Sequence, residues 1–231
     1  MISIDRVYKT VLTLANSDIR GNVTPPQIRL LINQVVNEIQ EEHLFELNRL
    51  LNRKNRGLAS NGLADMVSKL EEKISYFLTT KEVTVNPENR IELPLDSKYI
   101  ENISSKEVEF ERTKNSSEFN LLKRNSSINY PIFQIVGEYI KIAPEGFEGE
   151  TLEVNYIRKP KIANWLFVNI GGSEIANPTH PNYQDIDLHE SEEANVILKT
   201  LNLCGVNLKE TDIQNFTTRK EQQEFNEEIT N

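Results

Sequence analysis

The sequence predicts an α+β protein, a helical bundle built from both chain ends with an antiparallel β-rich region inserted between them. Three observations lead to that reading. Apolar residues repeat at helical spacing over the first 80 residues, alternate with polar ones in short runs between 83 and 157, and return to helical spacing at 194–201. The implied organisation is an N-terminal helical region at 1–80, a β-rich region at 81–190, and a C-terminal helix and arm at 191–231. Within the last region, 191–205 is expected to pack on the N-terminal helices.

In chain order, Ile4, Val7, Val11, Leu12 and Ala15 lie on one helical stripe that stops at Asn16-Ser17, and Arg20-Gly21-Asn22 signals a turn. Thr24 then reads as an N-cap, Pro25 fits the first helical position because an N–H there would have no helical partner, and Gln27 completes a Thr-x-x-Gln capping box. Ile28, Leu31, Ile32, Val35 and Ile39 carry this second helix to about Leu51, so that the two helices form a hairpin. Residues 53–62 are polar, contain Gly57 and Gly62, and read as a loop. A third stripe joins Leu63, Met66, Val67, Leu70, Ile74 and Phe77.

The period then changes. Val83 and Val85, the turn Asn86-Pro87-Glu88-Asn89, and Ile91 and Leu93 predict a β-hairpin. Val108 and Phe110 predict a strand within Lys106–Arg112. Residues 132–136 and 139–142, joined by Gly137-Glu138 and ended by Pro144, predict a second hairpin. Leu152, Val154 and Tyr156 mark a strand over 151–157 that Pro160 closes. Residues 160–190 are less regular, with one short strand expected at Ile186 and Leu188. A last helix starts near Ser191, places Ala194, Ile197, Leu198 and Leu201 on one face, and stops at Cys204-Gly205. Residues 209–231 are polar, with Ile213, Phe216 and Phe225 as sparse anchors, and suit a surface helix or an arm that orders on a partner.

Composition bounds the function. Ile, Leu, Val and Phe make up 69 of 231 residues, above the level that marks a disordered chain and enough to build a core. No apolar run reaches the roughly 18–20 residues of a membrane span, so no membrane partner is expected. Residues 1–5 lack a basic stretch leading into an apolar one, so no signal peptide is expected. The single Cys excludes an intrachain disulfide and fits a reducing compartment. A net charge of −9 disfavours general coating of nucleic acid, while leaving room for a local basic patch.

No catalytic constellation is legible. His43, His180 and His189 form no His-x-x-x-His pair, and Cys204 has no partner at ligand spacing, so neither a metal nor a cofactor is expected. Asp185, Asp187 and His189 would share one strand face, which reads as a solvated face ahead of a metal site. Cys204 reads as a small buried hydrophobe. Gly171-Gly172-Ser173 lacks the lysine and the strand-to-helix setting of a phosphate loop. Glu41-Glu42, Glu71-Glu72 and Glu192-Glu193 are sequence neighbours on helices, point to different faces, and are not acid–base pairs. The one cationic cluster is Arg49, Arg53, Lys54 and Arg56, with no acid from 48 to 64. It suits either a helix C-terminus whose dipole it offsets, or contact with DNA phosphates or an acidic partner.

Several segments resemble a family of phage virion proteins. They are Val7-Tyr8-Lys9, Leu14-Ala15-Asn16, Arg20-Gly21, Thr24-Pro25 leading into Leu31-Ile32-Asn33-Gln34, Glu38-Ile39 and the helix end at Phe45. Further on come Ile91-Glu92-Leu93-Pro94-Leu95-Asp96, then Val154-Asn155-Tyr156-Ile157-Arg158-Lys159-Pro160-Lys161 with Trp165, and Leu203-Cys204-Gly205-Val206-Asn207-Leu208-Lys209-Glu210. As a set they resemble the head-to-tail connector, or tail adaptor, proteins of short-tailed phages, notably the crAss-like group. Residues 113–130 and 171–183 match nothing in that pattern.

The resemblance implies a non-enzymatic structural protein at the head–tail junction of the virion, present in the host cytoplasm during assembly. It implies a homo-oligomeric, twelve-fold ring that binds the portal protein and the next tail or ring protein, and lets phage DNA pass. It also implies a C-terminal docking arm, with Ile213, Phe216 and Phe225 as its anchors. The alternatives are another ring, tail-hub or minor capsid protein of the same particle, or a monomeric DNA-binding protein that uses Arg49–Arg56.

Overall fold

The computed structural model describes residues 1–18, 24–55, 63–105, 108–171 and 173–204. The fold is α+β, with helices and antiparallel and mixed sheets. Two compact units are present, one from the described parts of 1–76 and 160–231, the other from 77–159. Residues 160–190, expected within the β-rich region, therefore belong with the helices.

The helical unit contains α1 (Ile4–Asp18), α2 (Pro25–Asn55), α3 (Leu63–Ser75) and α5 (Glu193–Leu203). The α1 stripe is buried through Ile4, Val7, Tyr8, Val11 and Ala15, and the α2 stripe through Ile28, Ile32, Val35, Val36 and Ile39. Helix α2 starts where the sequence places it, but Gln27 does most of the capping. Its Oε1 accepts both the Thr24 N–H and the Thr24 hydroxyl, each at 2.9 Å. Helix α3 packs on α2, and α5 packs on both α1 and α2. The buried face of α5 is Val196, Thr200 and Leu201, whereas Ala194 is exposed and Ile197 and Leu198 are half-buried. That face is rotated from the expected one because α5 meets two helices at once.

The segment after residue 160 wraps this unit. The side chain of Asn33 on α2 clamps the Ala163 backbone from both sides, donating to its carbonyl at 3.0 Å and accepting its N–H at 2.8 Å. Trp165 stacks on Tyr8 with ring centroids 3.7 Å apart and donates its indole N–H to Asp5 at 3.1 Å. A hairpin of β8 (Phe167–Ile170) and β9 (Ser173–Ala176) follows. Ile186 then pairs with Ile2 in an isolated bridge rather than forming a strand.

The second unit holds two sheets around one core. One sheet has the order β1 (Leu78–Thr84), β7 (Thr151–Arg158), β3 (Ser97–Ser104), all antiparallel. The other has β2 (Arg90–Glu92), β6 (Tyr139–Ala143), β5 (Ile132–Val136), β4 (Glu111–Arg112), with β4 parallel to β5. Leu152, Val154 and Tyr156 of β7 meet Ile100, Ile103, Ile91, Phe133, Ile140 and Ile142 in a single apolar cluster. The β5–β6 hairpin matches its prediction, with Gly137 at φ 59° in the tight turn.

The expected hairpin of residues 83–93 is corrected. Strand β1 pairs with β7 and β2 pairs with β6, so the turn at 86–89 carries the chain from one sheet to the other. The strand expected over Lys106–Arg112 shrinks to β4, and 106–107 lie outside the described residues. Helix α4 (Ser116–Leu122) fills part of 113–130 and packs on β5. Among the described residues, no helix is long and apolar enough to cross a membrane.

Candidate functional site

Three of the four sequence-selected cations, Arg49, Arg53 and Lys54, lie at the C-terminal end of α2. This helix runs one turn past the expected Leu51, since no breaker intervenes before Gly57 and cations in the last turn face the negative end of the helix dipole. Arg49 and Arg53 are four residues apart and share a face with Phe45, one turn earlier. Phe45 is 72% exposed, Asn48 and Asn52 are exposed, and Arg49 reaches Glu46 at 3.6 Å. Lys54 lies in the last turn of α2, and Arg56 lies outside the described residues. Phe45 adds an exposed aromatic ring to the cationic face. The four-residue repeat Phe45–Arg49–Arg53 was the available signal.

A second surface lies in the other unit, on the face of β1–β7–β3 turned away from the core. In the pairing register Glu82 sits opposite Glu153, and Ser104 flanks Glu153 on the other side. Both glutamates are exposed, and no cation among the described residues pairs with either. Thr80, Asn155 and Asn102 form the next row, and Asn102 donates to Glu109 at 3.1 Å, which brings a third carboxylate to this face. At the far end Ile157 lies between exposed Leu78 and exposed Tyr99. Sequence reasoning missed this surface because it depends on the register of three strands, one of them unforeseen.

Glu192, expected on a helix, is 5% exposed in the short 3-10 turn Glu190–Glu192 that leads into α5. It accepts from Lys73 of α3 at 2.6 Å and from Asn195 at 3.1 Å, and its carboxylate lies 3.5 Å from His43 Nε2 of α2. The His43 hydrogen bond holds its carboxyl well below the usual range against the cost of burial, and Lys73 and Asn195 add to the effect. One carboxylate therefore ties α2, α3 and α5 together. Beside it, Lys199 of α5 meets Glu38 at 2.8 Å and Glu42 at 2.5 Å on α2. Burial opposes the Lys199 charge, but the two carboxylates outweigh it and its pKa is raised.

Of the acids near residue 186, Asp187 is buried and Asp185 half-buried. Asp187 is 1% exposed and accepts the Lys161 N–H at 2.9 Å, while Asp185 accepts the Ile4 N–H at 3.0 Å. The expected solvated strand face is replaced by two carboxylates that satisfy backbone donors. His189 Nδ1 accepts the Ser191 N–H and starts the 3-10 turn, and His180 Nδ1 accepts the Asn182 N–H. Among the described residues, no three His, Cys, Asp or Glu side chains converge to hold a metal ion. Cys204 is half-buried at the end of α5, where burial pushes its thiol pKa up. Ile213, Phe216 and Phe225 of the expected arm lie outside the described residues.

These arrangements can bind and clamp: a cationic, aromatic helix end on one unit and an acidic sheet face with an apolar edge on the other. No protein-family model matches the chain, and no curated protein matches it.

Proposed function

We propose that the chain is a structural virion protein that forms a ring between the portal and the tail, sealing the head and leaving a conduit for DNA. The observation that carries this reading is that segments which together resemble tail adaptors are brought into contact by the fold. The block Ile91–Asp96 meets the block Val154–Lys161, although about sixty residues separate them in sequence. The Tyr156 hydroxyl donates to Asp96 at 3.0 Å, the Lys159 N–H donates to the Asp96 carbonyl at 2.7 Å, and Lys159 Nζ donates to the Leu95 carbonyl at 3.3 Å. In the helical unit, the Asn33 that clamps Ala163 and the Trp165 two residues on both belong to the same set.

On this reading α1, α2 and α5 form a bundle from both chain ends, the 77–159 unit is inserted into it, and the protein performs no chemistry. Ile213, Phe216 and Phe225 anchor an arm on the portal or a neighbouring subunit. A reconstruction of the purified virion tests the reading by position and copy number. A closed ring of this chain below the portal is expected, and absence from the particle, or a single copy, would overturn it. Deletion of 209–231 tests the arm separately. The truncated chain is expected to melt like the full one but not to enter particles.

A further inference from the structure

The end of α2 and the outer face of the three-stranded sheet are opposite in charge and alike in spacing. We propose that they bind each other between neighbouring copies of this chain, each copy offering α2 to one neighbour and its sheet to the other. The inference rests on the ring reading above and adds the two surfaces that join the copies.

The cationic member runs from Phe45 through Arg49, which Glu46 already engages at 3.6 Å, to Arg53, on one helical face and with no acid from 48 to 64. The acidic member runs from Ile157, set between Leu78 and Tyr99, to Glu153, set beside Glu82. From Phe45 to Arg53 is eight residues of helix, about 12 Å. From Ile157 to Glu153 is four residues of strand, about 13 Å. A ring laid over Ile157 therefore brings Arg53 to the level of the paired glutamates, with Arg49 over the row of Thr80, Asn155 and Asn102 between them.

The charges explain why a second copy is the occupant. Glu82 and Glu153 are direct cross-strand partners, and like charges in that position repel. A guanidinium between them replaces the repulsion with charge-assisted hydrogen bonds to two carboxylates. The chain carries −9 overall, so copies repel except where the α2 end meets an acidic face, and that fixes the register of approach. Because the two patches differ, the contact is head-to-tail, the kind of contact that generates rings when its rotation closes.

The test is a charge exchange on the intact chain, read by sedimentation velocity at low and high salt. Wild type is expected to self-associate at low salt and to dissociate as salt rises. The double variant Glu82→Arg with Glu153→Arg, and the double variant Arg49→Glu with Arg53→Glu, should each lose self-association by roughly tenfold or more. An equimolar mixture of the two should restore it, since each variant then offers a complement to the other. Thermal melts close to wild type show that both variants fold, and Glu82→Gln with Glu153→Gln gives a milder form of the acidic-face loss.

Normal association of either charge-reversed variant, or no recovery in the mixture, overturns the inference. A wild type that stays monomeric at all salt concentrations also overturns it, while the ring reading stands or falls on copy number in the virion. Loss of duplex DNA binding in the Arg49→Glu, Arg53→Glu variant, with self-association unchanged, would assign the helix end to nucleic acid and likewise overturn it.

Discussion

Replacing Glu192 by Gln leaves Lys73 facing a neutral amide at a place where its own side chain is 28% exposed. Removing one partner of a buried ion pair costs about 3–5 kcal/mol, and the partial exposure of Lys73 lowers the expected loss to about 2 kcal/mol. The pH dependence has a definite sign. Glu192 titrates near 4.5 when unfolded and well below that when folded. Its contribution is therefore complete above pH 4.5 and is lost as the pH falls through the folded value. The melting-temperature gap between wild type and Glu192→Gln should be constant near neutrality and close progressively in acid. A gap that persists in acid would mean that the carboxylate acts through packing and not through charge. At the start of α2, Gln27→Ala should cost about 1 kcal/mol in denaturant unfolding, and Thr24→Ala clearly less, because the Thr24 N–H keeps its bond to Gln27. The capping box was legible as Thr-x-x-Gln. Which of its two side chains dominates was not, because that depends on a rotamer.

The sheet elements show where periodicity carries information and where it stops. Strand β7 is central, lies between two partners, and keeps strict alternation, so its sequence reads as a strand without ambiguity. Strand β3 has irregular pairing between Ser97 and Tyr99 and again between Ile100 and Asn102. Those bulges put the buried Ile100 and Ile103 three residues apart, a spacing that matches no strand. Strands β1 and β2 read as a hairpin because a turn separates two alternating runs, and only long-range pairing sends them to different sheets. Helix α4 did carry a local signal. Asn115 accepts the Glu118 N–H at 2.8 Å while Glu118 accepts the Lys114 N–H at 2.7 Å, an Asn-x-x-Glu start with no long apolar stripe behind it. The acidic face yields a prediction at this scale. Glu82→Lys converts a repelling cross-strand pair into an attracting one, and should stabilise the isolated chain by about 0.2–1 kcal/mol in thermal or denaturant unfolding. The same change should weaken self-association, so that stability and assembly move in opposite directions. A parallel change in both would show that Glu82 has no part in the contact between copies.

For the molecule as a whole, the sequence separates helical from β-rich stretches, but the unit boundary near residue 160 is invisible to it. Residues 160–190 carry little periodicity because they wrap α1 and α2 through Asn33, Asp5 and Asp185, and not through a repeated apolar face. The other boundary is sharper in the structure. The unit of 77–159 closes on itself where it begins and ends. The Arg158 N–H donates to the Phe77 carbonyl at 3.0 Å, the Arg158 guanidinium lies 5.6 Å from the Phe77 ring, and Leu78 pairs with Ile157. Its apolar cluster, from Val85 to Tyr156, draws only on residues within those limits. A continuous segment that contains its own core and ties its own ends should fold when excised. Residues 77–159 alone are therefore expected to show a cooperative thermal transition by circular dichroism and a dispersed amide spectrum. The fragment carries the Glu82–Glu153 face but not α2. It should thus stay monomeric by itself and bind the intact chain at low salt, with binding lost for the Arg49→Glu, Arg53→Glu variant of the full protein. A folded fragment that binds this variant as well as wild type would show that the sheet is joined to some surface other than the end of α2.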